Sequence, residues 1–428
     1  MANEQEGHDG VWRRAGRAAV GVVLAAGFVA LAASGPVRDV ASVPGSLEVP
    51  VADQVVVPWA RWLPVSVQPG PGLSVQRAPR ALMVSAQHAG RYGVQLKWFG
   101  WLPFKWVPVR VVPSQRVVPG GQSIGVLVHT RGLMVTGYRP LPGPHGTVDP
   151  AEAAGVDVGD VITAVNGRPA ASRAVLVEAA QAAGRSGRAL ALTDQGARQT
   201  LVRVVHPLYN PTAHRYQVGV AVQDRTSGVG TLTFWNPRTG AYAALGHSLS
   251  DGVTRRPVGI ASGRMMAATV VGLVPGQPNR AGQKVGVLAG PELVDGTVAS
   301  NGLFGLTGRL VRPPTVGATK AMPLAVPDQV HPGPARILTV LAGNRPTAYR
   351  IWIERAYPQP VPAPKGLLFR VTDRRLLSLT GGVVQGMSGS PILQDGRVVG
   401  AVTHVLVSRP TWGYGCYAEW MLSPVVRR

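Results

Sequence analysis

The sequence predicts a mainly β protein: an N-terminal apolar helix, then a small α+β domain, then a larger domain built as two β-barrels. Three observations carry this. Only 15% of the 428 residues are charged and 45% are hydrophobic, with 54 glycines and 38 prolines, a composition that suits short strands and turns better than a helical bundle. From about residue 209 to the C-terminus, short β-prone runs recur between Gly-, Pro- and Asn-rich breaks. Between them and the N-terminus, strand-like runs alternate with two capped helix signals, the pattern of an α+β domain. The length leaves room for two or three domains with their own cores.

The first element is set by Arg13, Arg14 and Arg17, which precede an uninterrupted apolar stretch from Ala18 to Gly35. That length is close to the shortest helix that spans a bilayer, so residues 1–17 read as a cytoplasmic basic N-terminus and 18–35 as a transmembrane anchor or signal-like segment. An uncleaved anchor is favoured because the run exceeds a usual signal core, although Ala32, Ala33 and Ser34 supply small residues near its end. The basic flank then places the body of the protein outside the cytoplasm. Residues 36–90 are rich in Val, Pro and Ala without clear periodicity and read as a spacer. Residues 91–118 read as a short β-rich segment around Trp98, Trp101 and Trp106, whose aromatic side chains are expected to pack against the next domain.

The α+β domain occupies 119–207. Ser123 to His129 and Leu133 to Tyr138 read as strands, Asp149 caps a short helix with Pro150 at its first position, and Ser172 caps a second helix ending near Gly184. The remaining residues, 208–428, hold the chemistry. In Gly-Gly-Val-Val-Gln-Gly-Met-Ser-Gly-Ser-Pro-Ile (381–392), Gly386 and Gly389 flank Met387-Ser388, so the chain bends sharply and aims the N–H groups of Gly386 and Ser388 at one point, an oxyanion hole in outline. Asp395-Gly396 then joins two strands as a two-residue hairpin. A serine hydroxyl needs a histidine base held by a third group. His247, delivered to a Gly-bounded turn by a β-rich run, is the leading base and Asp373 the leading acid. Ser390 and His404 are the bland competitors, the first structural and the second a satisfied core or pocket-wall histidine that ranks below His247 as a base. The order His, Asp, Ser argues against an α/β-hydrolase, which places the serine first.

The net charge of +22 comes from arginines spread along the chain, lysine supplying only five of 43 cations. No basic-aromatic module of the kind that reads nucleic acid is present in the sequence, so nucleic acid is excluded as a partner. A solvated basic surface is the simplest account, with attraction to an anionic membrane as the alternative. No metal motif and no cofactor are expected. Cys416, the single cysteine, permits no intrachain disulfide.

Two resemblances extend this reading. Ala-Gly-Val-Asp-Val-Gly-Asp-Val-Ile-Thr-Ala-Val-Asn-Gly (154–167) resembles the bacterial PDZ signature, which implies a groove where a peptide joins a sheet edge, here at Gly121, Gln122, Ser123, Ile124, Gly125 and Val126. Gly-Met-Ser-Gly-Ser-Pro is similar to the nucleophile motif of chymotrypsin-like enzymes, with Met387 where those that are activated as zymogens carry aspartate. More closely, Leu-Lys-Trp-Phe-Gly (96–100), Pro-Gly-Gly-Gln-Ser-Ile-Gly-Val (119–126), Leu-Gly-His (245–247), the block 380–392 and Gly-Ala-Val-Thr-His-Val (400–405) resemble the SpoIVB peptidases, stage IV sporulation protein B of spore formers. The resemblance spans about residues 90–428. It implies a serine endopeptidase with the triad His247, Asp373 and Ser388, lodged at the extracytoplasmic face of the forespore inner membrane. Such an enzyme cleaves itself and then a regulatory membrane protein, triggering sigma-factor activation. The competing readings are a catalytically silent, membrane-anchored PDZ scaffold and a general extracytoplasmic quality-control protease.

Overall fold

In a computed structural model, the protein is described over residues 43–59, 65–143, 146–196, 199–252, 256–289, 295–359 and 361–422. The expected membrane segment, 18–35, lies outside these residues. Among the described residues no helix is long and apolar enough to cross a membrane. The chain divides after Ser114 into two compact units.

The first unit corrects the spacer expected over 36–90. Residues 47–112 form seven strands in two sheets. Leu47–Pro50, Leu102–Val112, Gly90–Trp98 and Val65–Pro69 make one, and Gln54–Pro58, Ala81–Ala86 and Leu73–Ala78 the other. Val49, Val55, Val84, Leu96, Val107 and Val109 are buried between them. The period-two signal is real but short: Gln54–Pro58 alternates exposed and buried. Pro50, Pro58 and Pro69 end their strands, which breaks the Val-rich runs into pieces too brief to read as strands.

The second unit holds two closed barrels of six strands each. The first runs Ser123–Tyr138, Ile260–Val274, Asp295–Gly302, Gly305–Arg312, Ala241–Leu245 and Val220–Trp235, closed by pairing of the last with the first. Ile124, Leu232, Tyr242, Met265 and Leu306 fill it. The second runs Gly333–Thr339, Thr347–Ala356, Leu367–Val371, Trp412–Tyr417, Arg397–Val405 and Pro391–Gln394, around Ile337, Ile353, Phe369 and Ile392. A further apolar cluster, including Phe234, Ala243, Val398, Ala401 and Cys416, joins side chains of both barrels. Cys416 is fully buried there and its thiol is pushed up to about 12 by that burial, as befits a small core residue.

The α+β elements are present, but not as a domain that precedes the barrels. Their helices, α1 (Pro150–Ala153) and α2 (Arg173–Arg185), start after Asp149 and Ser172 as the sequence indicates, although neither side chain makes a capping hydrogen bond. Both enclosing strands, Ser123–Tyr138 and Val220–Trp235, are long. Their near ends build the first barrel and their far ends pair Met134–Tyr138 with Val220–Gln223 inside the module. The α+β module is therefore an insertion between two neighbouring barrel strands, and the barrel domain begins at Ser123 rather than at 208. This also corrects the peptide-binding loop expected at Gly121 to Val126. Gly121 N–H donates to Leu232 O, and Gln122 O accepts from Leu232 N–H. Ile124, Gly125 and Val126 pair with Gly230, Val229 and Gly228 on one side and with Ala267, Met266 and Met265 on the other. A strand with both edges filled cannot receive a peptide.

Candidate active site

Ser388 belongs to the second barrel and His247 to the first. The strand Ala241–Leu245 ends in Gly246, whose lack of a side chain lets it lie against Val402 O, 3.0 Å from where a Cβ would stand. His247 follows at once. The Ser388 Oγ donates to Thr403 O at 3.3 Å, so both residues are anchored on the same stretch of Arg397–Val405. The turn that carries Ser388 is clamped from the first barrel. Thr231 N–H donates to Ser388 O (2.9 Å) and Thr231 Oγ1 to Gly386 O (2.9 Å). Gly389, at φ +89, has Thr231 O 2.3 Å from any Cβ it would carry, so only glycine fits the turn there. Met387, fully buried, tucks its sulfur under Val384 N–H (3.3 Å), so the position that would be acidic in a zymogen is an apolar plug.

Within this turn the N–H groups divide into two sets. Those of Gln385, Met387, Gly389 and Ser390 donate to Gly282 O, Val384 O, Val402 O and Met387 O. Among the described residues, the N–H groups of Gly386 and Ser388 have no acceptor. A pair of backbone donors held by a clamped turn beside a serine hydroxyl matches what a tetrahedral oxyanion requires.

His247 Nδ1 lies 3.0 Å from the Ser248 carbonyl. A carbonyl can only accept, so Nδ1 is the donor in this contact, which in the neutral ring leaves Nε2 as the acceptor that a general base needs. The structure does not bring Asp373 to His247. Asp373 caps α3 (Arg374–Thr380), its Oδ1 accepting from Arg375 N–H (3.0 Å) and Leu376 N–H (3.2 Å) and its Oδ2 from Arg350 N–H (3.2 Å). Burial pushes this carboxyl up, but the three backbone donors and the Arg350 guanidinium together hold it below the usual carboxylate value. The helix it caps leads directly into the Ser388 turn through Gly381, at φ +71.

His404 stands beside His247, its ring centroid 5.6 Å from that of His247. Desolvation, then repulsion from His247 and Lys365, keep its pKa below the ordinary value. Ser390 is buried, with its Oγ 3.5 Å from Thr231 Oγ1, and is structural.

Sequence reasoning missed Lys284. Its backbone N–H donates to Gln385 O, its stem runs 3.0 Å from a Cβ built on Gly386, and its Nζ donates to Ser123 Oγ (3.1 Å) and Thr339 Oγ1 (3.2 Å). Burial pushes this amine down to about 7. The one signal available was that only five lysines occur in a chain that otherwise uses arginine.

A nucleophile turn with two N–H donors that have no acceptor among the described residues, a histidine whose Nδ1 faces a carbonyl, and two six-stranded barrels define a serine peptidase of double-barrel architecture. The sequence comparison agrees: residues 214–422 match the family described as SpoIVB peptidase S55, and this region belongs to that family. Among solved structures, the chain is similar to the active form of the Rv3671c protease from M. tuberculosis, at 17% identity and a TM-score of 0.24, over 45% of this chain and 70% of that one. The inactive form of Rv3671c protease matches at 16% identity and a TM-score of 0.23, over 45% and 81%. No curated protein matches.

Proposed function

We propose that the protein is an extracytoplasmic serine endopeptidase, held at a membrane by residues 18–35, that processes itself and then cleaves a regulatory membrane protein. The observation that carries the catalytic part is the pair of acceptor-free N–H groups of Gly386 and Ser388 flanking the Ser388 hydroxyl. In this reaction Ser388 Oγ attacks the substrate carbonyl carbon and His247 Nε2 takes its proton. The new oxyanion accepts from the Gly386 and Ser388 N–H groups. His247 then returns the proton to the leaving amine as the C–N bond breaks, and water, deprotonated by the same nitrogen, releases the acyl group. In the geometry described, the Ser248 carbonyl fixes the His247 tautomer and Asp373 braces the helix that leads into the turn.

Self-processing, the membrane substrate and a role in sporulation rest on the resemblance to SpoIVB peptidases. The inserted module is read as a PDZ domain. Its peptide edge then lies at Val220–Gln223, which among the described residues pairs on one side only, with Met134–Tyr138. Val220 and Val222 share the module's apolar cluster with Val175 and Ala179 of α2, so a strand added at this edge would lie against the helix.

Paired expression of the wild type and Ser388→Ala, followed by intact-mass analysis over time and labelling with a serine-reactive phosphonate, tests the reading. Serine-dependent fragments and labelling are expected, with normal folding of the variant. Equal fragmentation of both proteins would overturn it.

A further inference from the structure

The first unit ends in an aromatic hairpin tip that the catalytic reading leaves unused. Gly90–Trp98 and Leu102–Val112 are joined by a tight turn, Phe99-Gly100-Trp101, in which Phe99 and Gly100 both take positive φ, 51° and 85°. Such turns favour Asn-Gly, and a bulky residue in the left-handed region is uncommon. Here a phenylalanine occupies that position at the most projecting point of the hairpin. It is 69% exposed, and Trp101 beside it is 71% exposed. Leu102 and Trp106 are exposed as well, while Trp98 and Phe104 stack behind them with ring centroids 4.9 Å apart. Large apolar side chains cluster at one tip of a unit whose core is filled by Val49, Val55, Val84, Val94, Val107 and Val109, so this is an interaction surface rather than surplus core.

Two observations identify what it meets. The first is where the chain enters. Lys105 Nζ donates to Val43 O at 2.6 Å, so the backbone arriving from the N-terminus meets the unit at its tip end. Only seven residues, eight Cα steps, separate Val43 from Gly35, the last residue of the apolar run. Fully extended, they reach at most about 28 Å. The second is charge. Lys97 and Lys105 flank the aromatic tip in sequence, and Arg77 reaches Val65 O, opposite Trp98. Between residues 43 and 114 there are seven cations (Arg61, Arg77, Arg80, Arg91, Lys97, Lys105, Arg110) against two anions, Glu48 and Asp53. Tryptophan with lysine and arginine around it is the composition that settles at the level of lipid headgroups.

We propose that the Trp98–Leu102 tip docks in the headgroup interface of an anionic lipid bilayer, fixing the first unit against the membrane surface. This rests on the membrane placement of residues 18–35 proposed above and is independent of the catalytic reading. The full chain carrying Leu102→Cys, labelled with an environment-sensitive nitrobenzoxadiazole dye, is mixed with vesicles of three parts zwitterionic to one part anionic lipid. Cys416 is fully buried and spared by the label. A second protein carries the dye at His88→Cys, two residues before Gly90 and thus at the opposite end of the strand Gly90–Trp98. The dye at 102 is expected to shift to the blue and to be quenched by lipid brominated near the headgroup, and the dye at 88 to stay in water. Adding Trp101→Ser and Trp106→Ser should abolish the shift and weaken quenching about tenfold. A chain that floats with vesicles while the dye at 102 stays in water overturns the docking and leaves the N-terminal segment as the sole anchor. A dye already shielded without vesicles overturns it in favour of a protein surface or a second copy, and a chain that does not float overturns both membrane readings.

Discussion

Replacing Asp373 with Asn and, separately, with Ala tests whether this carboxylate acts by capping a helix or by orienting His247. The structure gives it three backbone donors, two of them the N–H groups of Arg375 and Leu376 in the first turn of α3. Losing an N-cap costs about 1–2 kcal/mol. The ion pair to Arg350 is long, 3.6 Å, and the arginine side chain is 69% exposed, so solvent screens it and it adds little. The third donor, Arg350 N–H, lies on an exposed residue and regains water. Asp373→Ala should therefore lose about 1–2 kcal/mol, a fall in Tm of about 2–5 °C in a unit of this size. Asp373→Asn keeps an acceptor oxygen and should lose only a few tenths of a kcal/mol. The carboxyl is held below its unfolded value near 4, so the extra contribution of the charged form is present at neutral pH and is lost as pH falls through the lowered value. Thermal unfolding and turnover per folded molecule are measured on both variants. A cap predicts that Asn matches the wild type in turnover and Ala loses stability first. An Asn variant with unchanged Tm and turnover reduced about 10⁴-fold, the signature of a lost triad acid, would refute the reasoning and show that Asp373 reaches His247 in the working enzyme.

Two further outcomes follow from the turn and its surroundings. Gly389→Ala drives a Cβ to 2.3 Å from Thr231 O and 2.5 Å from Leu245 N at φ +89, so it should lose activity and about 3 kcal/mol or more of stability together; a denaturant midpoint like that of the wild type would contradict this. Lys284, whose amine burial pushes down to about 7, binds fewer protons folded than unfolded between pH 7 and its unfolded value near 10. Stability should rise over that window, by on the order of 5 kcal/mol at most. Lys284→Met should flatten the rise, and equal slopes in chemical denaturation of the two proteins would exclude Lys284 as its source.

The second barrel was legible because its signals are local. Asp395 and Gly396, at φ 48° and 72°, form the hairpin turn that their identities predict, and Gly386 and Gly389 take the positive φ that the nucleophile turn requires. The first barrel was not, because its closure depends on strands far apart in sequence. Nothing local marks Ser123–Tyr138 as a strand that serves both the barrel and the inserted module, and the PDZ-like signature that follows draws its first half into the wrong domain. Asp373 illustrates a different limit. An aspartate in a matching motif reads as catalytic, while the helix start just after it reads as a cap, and only the three-dimensional direction of the carboxylate separates the two.

The insertion between Ser123–Tyr138 and Val220–Trp235 also bears on what joins these two strands. A floppy loop over residues 139–219 would bring them together against an entropic cost of about 4 kcal/mol. Here the connection is a folded module that holds Arg139 N–H on Gly219 O at 2.8 Å, and its own apolar core offsets the cost of ordering it. From that junction the same two strands run on to Ser123 and Thr231, and Thr231 clamps Ser388. The catalytic turn thus leans on a strand whose far end is set by the inserted module.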